Sequence, residues 1–277
     1  MDKVKRYATS MFLPILFIVF WQISSIKISN PVLLPKVNIV TKLLINPTDN
    51  LLSIGSLLSN TLISIFRVAI GYILAAFVAI PIGMIVGYSK KLDHFLLPFL
   101  GLFKPIPPLA WVPLVLAWFG VSSLASILGI EFGKTYILFN NIKLSMLFII
   151  FIGSFFPILT NTIYGTRSVK VTLIDSALTM GATKKDVFLK VILPASLPPI
   201  VTGLRIGLSV AWMCLVSAEM LPGSLAGVGY LITHAYTIAR TDVVIAGMIT
   251  ISVVGGLLDL SFQKMEEKFF KWQSMEG

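Results

Sequence analysis

Hydrophobic positions in this chain gather into long unbroken runs, neither alternating like a strand nor confined to one helical stripe. Six segments have the length and polarity of membrane spans: residues 10–28, 62–87, 95–118, 144–165, 203–221 and 243–262. A helix needs about 20 mostly apolar residues to cross a bilayer. Pro81, Pro98, Pro113 and Pro157 fall inside these runs. They would break a helix in water, whereas neighbours within a bundle can satisfy the freed backbone groups. Gly71, Gly83 and Gly87 point to close helix contact, the last two as a small-xxx-small pair, with core packing the plain account of most such positions.

Two stretches interrupt this order. The apolar run Met11 to Ile26 follows Lys3, Lys5 and Arg6 and looks like a signal peptide, but it holds no small-residue cleavage site, so a retained first span is expected. Residues 121–143 are apolar only in patches, around Leu124, Ile127, Leu128 and Ile130 and again from Tyr136 to Phe139. Glu131, Lys134 and the Asn140-Asn141 pair break them up, which reads as an outer loop with a short surface or re-entrant helix.

The long polar connection at 166–200 carries its own punctuation. A helix can start at Thr172 with Asp175 three residues later, continue through Ser176, Ala177, Leu178 and Met180, and meet Gly181. A second start follows at Thr183 with Asp186, and Pro194 is expected to end that helix. Ile174, Ala177 and Leu178 share one face, as do Val187, Phe188 and Val191, while Lys184, Lys185 and Lys190 serve the wet side. Local chemistry leaves two readings open: an amphipathic connector lying on the membrane, or a docking element for a cytoplasmic partner.

Composition agrees with the spans. Of 277 residues 56% are hydrophobic and 12% charged, with mean hydropathy +0.92, against the roughly 25% charge of soluble domains. Disorder, collagen and coiled coil are excluded. The net charge of +10 does not mark nucleic acid binding, because the basic residues sit in short clusters between apolar segments. Thirteen of them (Lys3, Lys5, Arg6, Lys90, Lys91, Arg167, Lys170, Lys184, Lys185, Lys190, Lys264, Lys268 and Lys271) fall on one side of a six-span arrangement. Six (Lys27, Lys36, Lys42, Lys134, Lys143 and Arg240) fall on the other, and Arg67, Lys104 and Arg205 lie in or at the edges of spans. The bias predicts an even span count with both termini cytoplasmic. The expectation is therefore an all-α membrane protein of six transmembrane helices. Residues 1–9 and 263–277 would be cytoplasmic tails, and 10–262 the transmembrane domain containing the cytoplasmic 166–200 loop. Cys214 stands alone, so neither a disulfide framework nor a thiolate metal cluster is available. His94 and His234 are isolated, and no Gly-x-x-x-x-Gly-Lys-Ser/Thr phosphate cradle exists.

At the loop the sequence resembles the permease subunits of binding-protein-dependent ABC importers. Their signature is Glu-Ala-Ala, three residues, Gly, nine residues, then Ile-x-Leu-Pro. Here it reads Asp175-Ser176-Ala177, Leu178 to Met180, Gly181, Ala182 to Lys190, and Val191-Ile192-Leu193-Pro194, with spacing intact. Segments 67–72 (RVAIGY), 80–87 (IPIGMIVG), 104–120 (KPIPPLAWVPLVLAWFG), 155–168 (FFPILTNTIYGTRS), 202–207 (TGLRIG), 217–220 (SAEM) and 226–232 (AGVGYLI) resemble the nitrate/sulfonate/taurine branch. So does Arg240-Thr241-Asp242. The branch usually has Arg where Lys104 stands, and it joins Trp118-Phe119-Gly120 to Phe155-Phe156-Pro157-Ile158 in fewer residues. Residues 121–143 therefore look like an outer-side insertion, which either alters contact with an extracellular binding protein or merely lengthens a loop.

The resemblance implies a permease that forms the translocation pathway for a small solute such as nitrate, a sulfonate or taurine. A second permease copy, two cytoplasmic ATP-binding cassette ATPases, an extracytoplasmic solute-binding protein and membrane lipid would be its partners, in the cell membrane. It would not itself be an enzyme: ATP and Mg would be used by the partner ATPase and no cofactor would be bound by this chain. Asp175, Ser176, Ala177, Gly181, Phe188, Leu193 and Pro194 would form the ATPase-coupling loop, with Ala177, Gly181, Phe188 and Leu193 as structural contacts of a rigid lever. Arg67, Lys104, Arg205 and Glu219 are candidates for the pathway or a gate, since charge near a membrane is expensive and often functional. Arg67 is a possible partner for Glu219. A heterocyclic nutrient or precursor is an alternative solute. An ion-coupled secondary transporter and a non-transport membrane scaffold are alternatives of another class.

Overall fold

A computed structural model describes residues 2–269, with side chains from Phe12 to Lys268. Among the described residues every regular element is helical. In chain order the helices are α1 (Asp2–Ile28), α2 (Val37–Ile45), α3 (Leu57–Tyr88), α4 (Lys90–Phe103), α5 (Val112–Phe119), α6 (Leu124–Ile127), α7 (Gly133–Asn140) and α8 (Leu144–Arg167). There follow α9 (Val171–Thr179), α10 (Lys184–Val187), α11 (Leu193–Glu219), α12 (Val228–Thr237) and α13 (Thr241–Phe269).

The core is built on α8, which lies between α3 and α11 and is buried on both faces, with Ile150, Ile158, Leu159 and Ile163 all inside. Small residues set these approaches. A Cβ at Gly83 of α3 would come within 2.7 Å of Thr162 Cβ, and one at Gly203 of α11 within 2.6 Å of Asn161 Cβ. Backbone contact of this kind suits helices in lipid, where packing rather than water exclusion drives association. Away from this core, Phe17, Phe77, Phe95, Phe132 and Leu257 point outward, as surface facing acyl chains or partner helices can.

Six spans are not what the chain forms. Among the described residues four helices are long and apolar enough to cross a membrane: Leu57–Tyr88, Leu144–Arg167, Lys184–Glu219 and Thr241–Lys268. The expected span at 95–118 is broken. Lys90–Phe103 and Pro108–Phe119 meet at an 80° bend, giving at most a fifth crossing if the pair acts as one. Pro105, Pro107 and Pro108 cluster at that corner, each lacking a donor and restricting the residue before it. The expected first span contributes only the shorter apolar stretch Phe12–Ile28. The sidedness of the termini was read from basic residues sorted over six spans, and that sorting does not carry over to four or five.

Residues 121–143 hold only the short α6 and α7. The two ends of this segment meet, through Leu124 N–H donating to Ile142 O (3.0 Å) and Leu144 N–H to Ser122 O (3.1 Å). The expected tails overlap helices, since α1 begins at Asp2 and α13 runs to Phe269. Met1 and residues 270–277, with Lys271, lie outside the described residues, as do the side chains of Lys3, Lys5 and Arg6.

Candidate functional site

The 166–200 connection forms a compact helical hairpin with two corrections to the expected punctuation. Its first helix starts at Val171 behind Lys170, with no side-chain cap, so Thr172 already lies inside the first turn. Gly181 makes the turn at φ +85°, in left-handed space that a side chain disfavours. The second start is a capping box, with Thr183 Oγ1 accepting from Asp186 N–H (3.2 Å) and the Asp186 carboxylate accepting from Thr183 N–H (3.3 Å). Pro194 does not end this helix. Residues Phe188–Ile192 form a widened π turn, in which Leu193 N–H bonds back to Phe188 O, and the helix continues through α11 to Glu219. Pro194 follows directly on the π turn, inside a helix that runs on without interruption.

Three of the candidate loop residues pack inward. Ala177 and Phe188 lie against Val169, Val187 and Ile192 in a small separate core, and Leu193 is half-buried. Asp175, Ser176, Gly181 and Pro194 are exposed. The tip also presents Leu173, Leu178 and Met180 to the outside, Met180 at 88% exposure. Leu173 and Met180 as an exposed apolar tip were not singled out from the sequence; the signal was an apolar residue directly before the turn glycine. The hairpin is tied to the bundle by Tyr88 of α3, whose ring meets Phe188 edge-on at 5.5 Å. An ion pair between Arg167, at the end of α8, and Asp93 of α4 adds a second tie.

At the opposite end of α11, Arg67 and Glu219 form a buried pair, with Nη1 2.6 Å from Oε1. The same Nη1 donates to Ala226 O (2.8 Å) and Arg67 Nε donates to Asn141 O (2.8 Å). Glu219 also accepts from Ser64 Oγ (2.8 Å) and from Gly229 N–H (3.0 Å). Ser64 Oγ accepts from Val228 N–H (3.0 Å), and Asn60 Oδ1 accepts from Gly227 N–H (2.8 Å). Three of the opening N–H groups of α12, those of Gly227, Val228 and Gly229, thus have side-chain acceptors, and the carboxylate sits at the positive end of that helix. A Cβ at Gly227, where φ is +113°, would run into the Glu219 carboxylate. Asn60, Ser64, Gly227 and Gly229 were not anticipated, since small polar residues carry no sequence signal of a shared partner 155 or more positions away in the case of Ser64.

Arg205 and Lys104 lie apart from that pair. Arg205 makes a fork to Asp259 of α13, Nε to Oδ1 at 2.6 Å and Nη2 to Oδ2 at 2.9 Å, with Glu266 3.7 Å from Nη1. It fastens α11 to α13. Lys104, at the end of α4, lines a cavity of about 370 Å³ with Ile106, Phe156, Thr160, Asn161 and Ile206. Asn161 Nδ2 donates to Pro157 O (2.8 Å) and Thr160 Oγ1 to Phe156 O (2.8 Å), so both face the cavity from carbonyls beside Pro157. Of the four charged candidates, the structure brings Arg67 to Glu219, gives Arg205 a different partner, and puts Lys104 on a cavity.

Comparison with known proteins fits this arrangement. Residues 79–271 match the family model of binding-protein-dependent transport system inner membrane components. The chain is 48% identical over 273 residues to a putative ABC transporter permease protein of Methanocaldococcus jannaschii, covering 99% of this chain and 95% of that one. It is 35% identical over 278 residues to a putative aliphatic sulfonates transport permease protein of Bacillus subtilis, covering 99% and 91%. In fold it is similar to a chain of the MetNI methionine ABC transporter in an inward-facing conformation, with TM-score 0.61 and 15% identity over 76% of this chain and 95% of that one. The chain belongs to the binding-protein-dependent transport system inner membrane components, the permease subunits of ABC-type importers.

Proposed function

We propose that this chain, a multi-pass permease component of an ABC-type importer, carries a small solute bearing an oxyanion group, such as nitrate, a sulfonate or the zwitterion taurine. It forms the translocation pathway for a small polar solute, as part of a multi-subunit import complex in which a separate subunit hydrolyses ATP. The finer assembly, with a second permease copy, two ATPases at the 166–200 hairpins and an extracytoplasmic binding protein, is part of the same proposal. In it Asp175, Ser176 and Gly181, with Met180, meet the ATPase. Ala177, Phe188 and Leu193 hold the hairpin's shape from within, and Pro194 lies in the helix that leaves it.

One observation carries the reading: the hairpin and the far end of the bundle share a single helix. Lys184–Glu219 runs 36 residues without a stop, which is about 54 Å at helical rise. Its first turn holds the capping box beside the exposed tip, its middle lends Ile206 and Val210 to the Lys104 cavity, and its last residue is Glu219. A push on the tip therefore tilts the wall of that cavity, and Lys104 gives the cavity the sign that attracts an anion. The similarity to the sulfonates permease of Bacillus subtilis supports the anionic class.

The test is reconstitution with the cognate ATPase and binding protein in proteoliposomes. Uptake of labelled methanesulfonate, taurine or nitrate is expected only with ATP inside and the binding protein outside. Uptake by the chain alone without ATP would overturn the reading.

A further inference from the structure

A second cavity, of about 250 Å³, lies between α5, the beginning of α8 and the loop that follows α11. Val112, Leu116, Ile149 and Leu221 give it apolar walls, and its polar groups are Lys143 and Ser145. Both are buried, Lys143 at 7% and Ser145 at 6% exposure. Lys143 Nζ donates to Val121 O (3.3 Å) and Asn140 Oδ1 (3.1 Å), which leaves one of its three protons over. Among the described residues no carboxylate lies within ion-pair distance of this ammonium. Burial, and then the charge of Arg67, hold Lys143 below its ordinary pKa, so the two cations feel one another. Among the described residues Arg67 is ion-paired with Glu219, and Arg67 Nη2 is itself buried without a partner. The region therefore keeps an excess positive charge out of water.

Two further features aim at the cavity. Lys143 precedes the first residue of α8, a 24-residue helix that no side chain caps; Leu144 N–H is taken by Ser122 O, which leaves the next N–H groups and the positive end of the dipole at this end of the helix. Ser145, at the second position of that helix, lines the cavity and makes no side-chain hydrogen bond among the described residues. The Ser145 hydroxyl is thus left to the cavity, and a hydroxyl, an ammonium and helix N–H groups can all donate to an anion.

We propose that this cavity binds a small oxyanion through the Lys143 ammonium, the Ser145 hydroxyl and the N-terminus of α8. Its volume falls below the roughly 300 Å³ at which sites for larger organic ligands begin, which favours an ion of the size of nitrate or methanesulfonate over a heterocycle. The occupant named here rests on the anionic-solute reading, whereas the unneutralised charge does not. The site is separate from the Lys104 cavity, with which it shares no lining residue. A phospholipid phosphate has the same oxyanion chemistry, and the experiment separates the two sources.

The full-length chain in detergent is titrated calorimetrically with potassium methanesulfonate and with potassium nitrate, at constant ionic strength in potassium chloride. Saturable binding is expected with at least one of them, weakened by about tenfold or more in both Lys143→Met and Ser145→Ala, as for a lost hydrogen bond to a charged group. Lys143 also closes the 121–143 segment onto Val121, so its variant can lose the fold. Ser145→Ala removes only a hydroxyl without a protein partner and decides the matter in that case. Three results would overturn the proposal: no saturable binding, wild-type affinity in Ser145→Ala, or a co-purified phospholipid that methanesulfonate cannot displace. Parallel ATP-driven uptake keeps the two readings apart. Uptake that persists with no binding at this cavity sinks the site alone, and binding that depends on Ser145 without any anion uptake supports the site while sinking the transported-anion reading.

Discussion

Arg67 Nη1 and Glu219 Oε1 meet at 2.6 Å although 152 residues separate them, and neither side chain reaches solvent. Burying both ions costs several kcal/mol each, recovered only while they face one another and their remaining atoms are bonded. Ser64, Gly229, Ala226 and Asn141 supply most of those bonds. Glu219→Gln keeps the shape but strands a guanidinium, and Arg67→Met strands a carboxylate. Each is expected to lose about 3–5 kcal/mol of stability. The double variant Arg67→Met/Glu219→Leu should lie closer to wild type than either single change. Thermal unfolding in detergent, taken round the full cycle, measures this, and additive losses would show that the two residues do not act as a unit.

Gly181 turns the hairpin at φ +85° with nothing within 4 Å of where a Cβ would stand. Space is free there, and only the backbone conformation is demanding. Gly181→Val should therefore cost about 1–2 kcal/mol locally, and Gly181→Asn less, because Asn tolerates the left-handed region. The readout is co-purification with the partner ATPase: strongly reduced for Val, largely kept for Asn. Equal loss in both would point to a contact made by the glycine itself rather than to turn geometry.

Met180 is 88% exposed at the hairpin tip beside the exposed Leu173 and Leu178, and its flexible thioether can adapt to a partner surface. Met180→Asp should leave unfolding within about 0.5 kcal/mol of wild type, as exposed substitutions do. Binding to the ATPase should fall about tenfold or more, the scale of an anchor residue at an interface. Met180→Leu should bind normally. Unchanged ATPase affinity in the Asp variant would remove the tip from the contact.

What was legible in the sequence was what local chemistry decides. The Thr183/Asp186 box and the Gly181 turn depend on neighbours within a few positions, and both stand in the structure. Pro194 was misread as a stop because a proline's effect depends on the turn before it. The π turn at Phe188–Ile192 lies directly before Pro194, and the helix runs on past it. Span counting failed at 95–118 for the related reason that hydropathy records how apolar a run is and not whether its axis is straight. The triple-proline corner bends it by 80°. Long-range pairs were the least accessible. Arg67 and Glu219 could be named as costly charges and as possible partners, but the partnership of Arg205 with Asp259 rests on helix packing that no spacing along the chain encodes.

Lys104 tests the pathway most directly, because it is exposed and lines the cavity shared by α8 and α11. No ion pair holds it among the described residues, so its charge is available to a passing solute. Lys104→Met should lower ATP-driven uptake of an anion by about tenfold at low ionic strength, at the lower end of what a focused charge supplies. The deficit should shrink as salt rises, since an exposed charge is screened over about 10 Å at 0.1 M. Lys104→Arg keeps the charge and should import nearly as wild type, although the planar fork changes its hydrogen bonding. Measuring uptake across a salt series separates this from a packing effect, which would be independent of ionic strength. A Met variant that imports normally at every salt concentration would take Lys104 off the solute's route.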